Sequence, residues 1–105
     1  MNFKKTFERL ELKEDEYIEL VKLFVLTSRS DIIKLQSAIN SNNTEKVSMI
    51  AHSLKGAAVN LGLEEFLELA KIIEETARDG QLEKTAEIAY IFQKKLDNIA
   101  DIINS

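Results

Sequence analysis

The sequence predicts an all-α fold, an up-down antiparallel four-helix bundle with a short additional N-terminal helix. Three observations predict it. Proline is absent and glycine occurs only three times in 105 residues, so little in the chain interrupts a helix. Apolar residues recur at alternating steps of three and four through four long stretches. Short groups of turn-forming residues separate those stretches, which makes sequence neighbours antiparallel. Leu, Ile, Ala, Glu and Lys dominate the composition, as they do in helical bundles.

Taken in order, residues 3–10 can form a turn or two of amphipathic helix through Phe3, Phe7 and Leu10. That piece is too short to stand alone and has to pack on the rest. The first long helix starts at Glu14 or Asp15 and runs to about residue 41, with Ile18, Val21, Val25, Ser28, Ile32, Leu35 and Ile39 on one face. Asn40, Ser41, Asn42 and Asn43 end it, being better turn formers than helix formers. Thr44 is the expected N-cap of the second helix, with Val47 in its first turn. This helix runs to about Leu61, and Gly62 supplies a left-handed stop. The third covers residues 63–78, with Phe66, Ala70, Ile73 and Ala77 on one face, and Gly80 stops it. The fourth covers residues 82–103, its stripe formed by Leu82, Thr85, Ala89, Phe92, Leu96, Ile99 and Ile103.

The length fits one domain, residues 1–105, with a core large enough to hold without staples. There are no cysteines, which excludes disulfides and thiolate metal sites and fits a reducing compartment. A formal net charge of -4 without a dense basic run sets nucleic acid aside, because neutralising phosphates takes clustered Lys and Arg. The longest apolar runs, such as residues 88–92, are far too short for a membrane span. Lys4 and Lys5 are not followed by an apolar stretch, so no signal peptide is supported. The expectation is a soluble cytoplasmic monomer, since four packed helices leave no long apolar stripe uncovered. No nucleotide-binding glycine loop is present, and neither metal nor cofactor is expected. Glu64, Glu65, Glu68, Glu74 and Glu75 fall where a solvated helix surface needs charge.

Residues 51–62 break the pattern. On a helix advancing about 100° per residue, Val47, Ile50, Leu54, Ala57 and Leu61 cluster on the core side. His52 falls on the opposite side with Ser48, Met49, Lys55, Gly56, Val59 and Asn60. That outer face holds the only histidine of the chain, whose neutral imidazole is a nucleophile near pH 7. Gly56 sits mid-helix one turn later, at a cost of about 1 kcal/mol against alanine, and clears space beside the imidazole. Met49 and Val59 place apolar groups on a solvated face, which suggests a contact surface. Lys55 is within reach of an anion held on His52. Each feature alone has an ordinary reading: a surface histidine, a solvated lysine, a glycine for close helix packing, two apolar residues touching the N-terminal helix. Their coincidence on one face marks a functional site.

His52-Ser53-Leu54-Lys55-Gly56-Ala57-Ala58, followed by Leu61-Gly62, resembles the signature of histidine phosphotransfer (HPt) domains. That signature is a His, any residue, an aliphatic, Lys-Gly, two small residues and a Gly six positions after the first. The resemblance implies a helical phosphocarrier in a two-component phosphorelay. His52 would take a phosphoryl group, on the far ring nitrogen, from a receiver-domain aspartate and pass it to another receiver. Lys55 would neutralise the phosphate, and Gly56 would let the receiver's site close over the imidazole. Family members carry a polar residue on the next helix, sometimes glutamine, near the other ring nitrogen or the phosphate. Glu74 holds the matching position, and a solvated reading of it stays open. Arg78, one turn on, could reach the phosphate or simply complement the helix dipole.

The resemblance further implies that the chain is not itself an enzyme, because the metal and acidic pocket would come from the receiver. The sequence also offers no converging partners of the kind a catalytic triad requires. The partners implied are response-regulator receiver domains and a hybrid sensor kinase. Met1 favours a free-standing protein over a piece of a larger kinase. A non-catalytic helical interaction module, docking a partner through the Met49/Val59 face, is the alternative.

Overall fold

The computed structural model describes residues 11–104. Four helices and no strands occur among them: α1 (Glu14–Asn40), α2 (Thr44–Leu61), α3 (Glu64–Arg78) and α4 (Leu82–Ile103). The expected short helix at residues 3–10 lies outside the described residues. Each helix packs on its sequence neighbours, and α1 packs on α4, which closes a ring. Pairings across the ring run in opposite directions. Arg29 meets Asp97 and Gln36 meets Gln93 between α1 and α4. Glu65 meets Lys95 and Thr76 meets Thr85 between α3 and α4. Adjacent helices are therefore antiparallel.

The core lies on the ring's axis. Phe66 sits edge-on between Phe24 and Phe92, with ring centroids 5.3 and 5.0 Å apart. Edge-to-face geometry aims the positive ring edge at the negative face of its neighbour. Among the described residues the buried pair Thr76 and Thr85 is satisfied within the bundle: their hydroxyls are 2.8 Å apart, so one donates to the other, and the one that accepts donates its own proton to a carbonyl one turn earlier in its segment.

Helix ends follow the punctuation of the sequence with two corrections. Asn43, and not Thr44, caps α2: its side-chain oxygen accepts from the Lys46 amide at 3.1 Å. The chain enters the helix so that the side chain one residue earlier is the one that reaches an orphan N–H of the first turn. Leu63 precedes α3 instead of opening it, because α2 ends in a Schellman motif. Gly62 is left-handed (φ 68°), its N–H bonds the Val59 carbonyl, and the Leu63 N–H bonds that of Ala58. Leu63 is thereby turned into the core, fully buried, as the apolar contact of such a motif.

The buried faces are also rotated slightly from those expected. On α1, Tyr17, Phe24 and Ala38 join the core, while Ile18 and Ile39 sit at its margin. On α2, Ala51 and Ala58 are fully buried, and Ile50, Ala57 and Leu61 are half-buried against the core. A bundle helix buries a wedge between two neighbours, so its innermost line falls between the two flanks that periodicity alone averages. No helix among the described residues is long and apolar enough to cross a membrane.

Candidate functional site

α2 is a continuous helix held at both ends by the Asn43 cap and the Gly62 stop. Tyr17 on α1, itself fully buried, donates its hydroxyl to the Leu61 carbonyl at 2.9 Å. That bond satisfies an orphan acceptor of the last turn and fastens the end of α2 to α1. Sequence reasoning passed over Tyr17; the available signal was its place four residues before Val21 and the need of a buried phenol for a partner.

The contact between α2 and α3 is the most extensive in the bundle. Ala51 and Ala58 on one helix and Ala70 and Ala77 on the other are all fully buried. Side chains this small let two helices approach closely. Flanking polar groups can then meet across the seam, and they do so at Glu74.

Glu74 is the centre of a charged cluster. Its side chain is only 15% exposed, whereas that of His52 is 73% exposed. One carboxylate oxygen, Oε1, accepts from Lys55 Nζ at 3.1 Å and lies 3.6 Å from Arg78 Nη2. The other, Oε2, lies 3.4 Å from His52 Nδ1. Burial by itself pushes the Glu74 carboxyl up. The hydrogen bond and charge of Lys55, followed by the charge and contact of His52, outweigh burial and hold it below its ordinary value. Glu74 is thus a carboxylate with three basic neighbours, and the solvated-surface reading of it is corrected. The helical period read Glu74 as surface charge, and only the family resemblance set it near His52; neither gave this depth. Glu64, Glu65, Glu68 and Glu75 are exposed, as expected.

With Nδ1 against a carboxylate, the proton of a neutral imidazole belongs on Nδ1 and the lone pair on Nε2. No hydrogen bond or ion pair to Nε2 occurs among the described residues. Behind the ring, Leu54 and Ala58 are buried and Ala57 is half-buried, so the helix cannot roll the histidine inward. Lys55 is partly sheltered at 26% exposure.

Met49, Val59 and Asn60 stand exposed on the same helix, and Ser48 is half-buried. Gly56 is exposed too, and a Cβ built on it would meet nothing within 4 Å. No neighbouring helix among the described residues therefore requires a glycine there, which argues against the close-packing reading. No group of three or more His, Cys, Asp or Glu among the described residues is placed to hold a metal ion.

Comparison with known proteins bears on this arrangement in one way. A family model described as the Hpt domain matches residues 19–102. The curated proteins and the solved structures give no match. Hpt domains carry phosphoryl groups in phosphorelays by histidine phosphotransfer; they meet receiver domains and kinases, and they are not enzymes in the usual sense. Matched from early in α1 to the end of α4, the chain belongs to the Hpt domain family.

Proposed function

We propose that this chain is a phosphocarrier whose His52 accepts a phosphoryl group from the phosphoaspartate of one receiver domain and passes it to the aspartate of another. The observation that carries this reading is the setting of His52: an imidazole 73% exposed, with Nδ1 turned to Glu74 and Nε2 left as the nucleophile. In the forward step the Nε2 lone pair forms the N–P bond while the acyl-phosphate P–O bond breaks, returning a carboxylate to the donor. Transfer to the second receiver is the reverse of this.

The roles follow from position. Lys55, one turn from His52, neutralises the phosphoryl oxygens as a charge-assisted donor. Arg78 adds a second positive charge at the edge of the site. Glu74 supports His52 through Nδ1. Gly56 keeps the approach open, and Ser48, Met49, Val59 and Asn60 form the ground on which a receiver docks. The divalent metal and the acidic pocket that stabilise the transferring group belong to the receiver. The carrier acts as a monomer in the cytoplasm, and a hybrid sensor kinase is the source of the phosphorylated receiver.

The test is phosphotransfer between purified components. The protein is incubated with phosphorylated receiver domains and Mg²⁺, beside a His52→Gln control. Label on the wild type alone, labile in acid and stable in base, is the expected result. If neither receivers nor a phosphoramidate donor modifies His52, the carrier reading fails. An interaction module docking through Met49 and Val59, with binding that survives His52→Gln, then takes its place.

A further inference from the structure

We infer that α1 carries a second docking surface, a solvent-facing apolar seam that takes an acidic amphipathic helix of a partner protein. The seam lies away from His52 and does not depend on the carrier reading.

A bundle helix needs one apolar side, but α1 has two. Tyr17, Val21, Ser28, Ile32 and Leu35 are buried on the core side. On the opposite side Leu23, Leu26 and Ile33 are 56%, 65% and 68% exposed, and Ser30 and Ser37 are exposed in line with them. That stripe is the exception to the expectation that four packed helices cover every long apolar line. Its members, Leu23, Leu26, Ser30, Ile33 and Ser37, follow at alternating steps of three and four. This is the a/d spacing with which one helix packs lengthwise on another. The small serines let a partner backbone come close. Beside Leu26 a cleft of about 170 Å³ opens between α1 and α4, with Val25, Arg29, Ala100 and Ile103 also in its lining. It is smaller than the roughly 300–1,000 Å³ of small-molecule sites and suits one apolar side chain, a knob from the partner helix.

The e and g positions beside such a seam choose the partner by charge. Here they are Leu20, Lys22, Thr27, Arg29, Lys34 and Gln36, with three cations and no carboxylate. Lys22 lies 3.5 Å from Glu19, and Arg29 lies 2.8 Å from Asp97. Both pairs are exposed, and exposed pairs are weak enough to exchange partners. The Arg29 guanidinium, held there through one nitrogen, keeps further donors. Lys34 has no ion pair among the described residues. An acidic helix therefore fits these flanks, and two other occupants carry the wrong sign. A second copy laid parallel would set Arg29 against Lys34. Residues 1–10 bring Lys4, Lys5 and Arg9 against the single Glu8. His52 stands on α2 at its seam with α3, so a helix on the outer line of α1 leaves the imidazole open. Such a partner anchors the protein without occupying its histidine.

The probe is a synthetic three-heptad peptide with leucine at a and d and glutamate at e and g, charges that keep it from pairing with itself. A second peptide has lysine at e and g. Each is titrated into the ¹⁵N-labelled full chain at low salt, and amide shifts are followed. The glutamate peptide is expected to bind, with shifts along residues 22–37 and at Ala100 and Ile103, and to weaken as salt is added. The lysine peptide should bind about tenfold more weakly or worse, and so should the glutamate peptide to Leu26→Gln or Ile33→Gln. Both of those substitutions fall at exposed positions and leave the core untouched. Phosphoramidate should modify His52 at the same rate with and without bound peptide. Equal affinity for the two peptides, no binding of either, shifts centred on Met49 and Val59, or a slower His52 reaction in the complex each overturn the inference. Binding that appears only when Phe3, Phe7 and Leu10 are replaced by serine would give the seam to the chain's own first residues, and self-association abolished by Ile33→Gln would give it to a second copy. Either result overturns the inference as well.

Discussion

Replacing Gly56 by alanine should make the protein more stable and a poorer carrier at the same time. Gly56 lies in the interior of α2, where glycine is less favourable than alanine by about 0.8–1.0 kcal/mol, chiefly through backbone entropy. An added Cβ meets nothing within 4 Å among the described residues, so no packing penalty from them offsets that gain. For a domain of about this size 1 kcal/mol corresponds to roughly 4–8 °C in Tm, and a rise of several degrees is expected by circular dichroism. Transfer should move the other way, because the methyl group occupies space one turn from His52 that a docking receiver needs. Gly56→Leu keeps good helix propensity and extends the obstruction; a loss of about tenfold or more in kcat/KM, equivalent to roughly 1.4 kcal/mol, is expected. The reasoning is refuted by either half failing. A lower Tm for Gly56→Ala would mean that the glycine serves packing after all. Normal transfer by Gly56→Leu would mean that no partner approaches over it.

Three further outcomes follow from the same geometry. Lys55→Ala should lower the rate of phosphorylation or the lifetime of the phosphoryl group by about tenfold, the scale of one charge-assisted hydrogen bond; unchanged kinetics and lifetime in the receiver assay would remove its assigned role. Tyr17→Phe, which loses the 2.9 Å bond to the Leu61 carbonyl, should cost about 1 kcal/mol, read as a lower urea midpoint at constant m, with faster amide exchange at Leu63. The Glu74 carboxyl is held below its ordinary value of 4.5, so its contribution to stability is complete above that pH and is lost as pH falls through the depressed value. The stability gap between wild type and Glu74→Gln should therefore close on acidification, and a gap that persists at low pH would mean that the charge is not what stabilises.

Much of the fold is legible because helix stripes and helix stops are local properties. The two glycines after α2 and α3 and the asparagines after α1 mark chain reversals wherever the helices later pack. The capping error between Thr44 and Asn43 arises because either residue type can cap, and only the path of the incoming chain decides which one does. The site divides in the same way. His52, Lys55 and Gly56 share one turn of one helix, so spacing alone brings them together. Glu74 needs the register between α2 and α3, set by where Ala51, Ala58, Ala70 and Ala77 pack. No periodicity within either helix contains that information. Tyr17 was hidden for a related reason: its partner is a backbone carbonyl 44 residues away, and every residue has a carbonyl.

The position of His52 on the exposed flank of a helix has a consequence for traffic. A single side chain on a convex surface admits one concave partner at a time. For a carrier of this kind donor and acceptor compete for the same ground, and each must leave before the other can land. Turnover then has a ceiling set by dissociation. Tight binding to either side would stall the relay, so brief encounters with fast off-rates suit this surface better than strong ones.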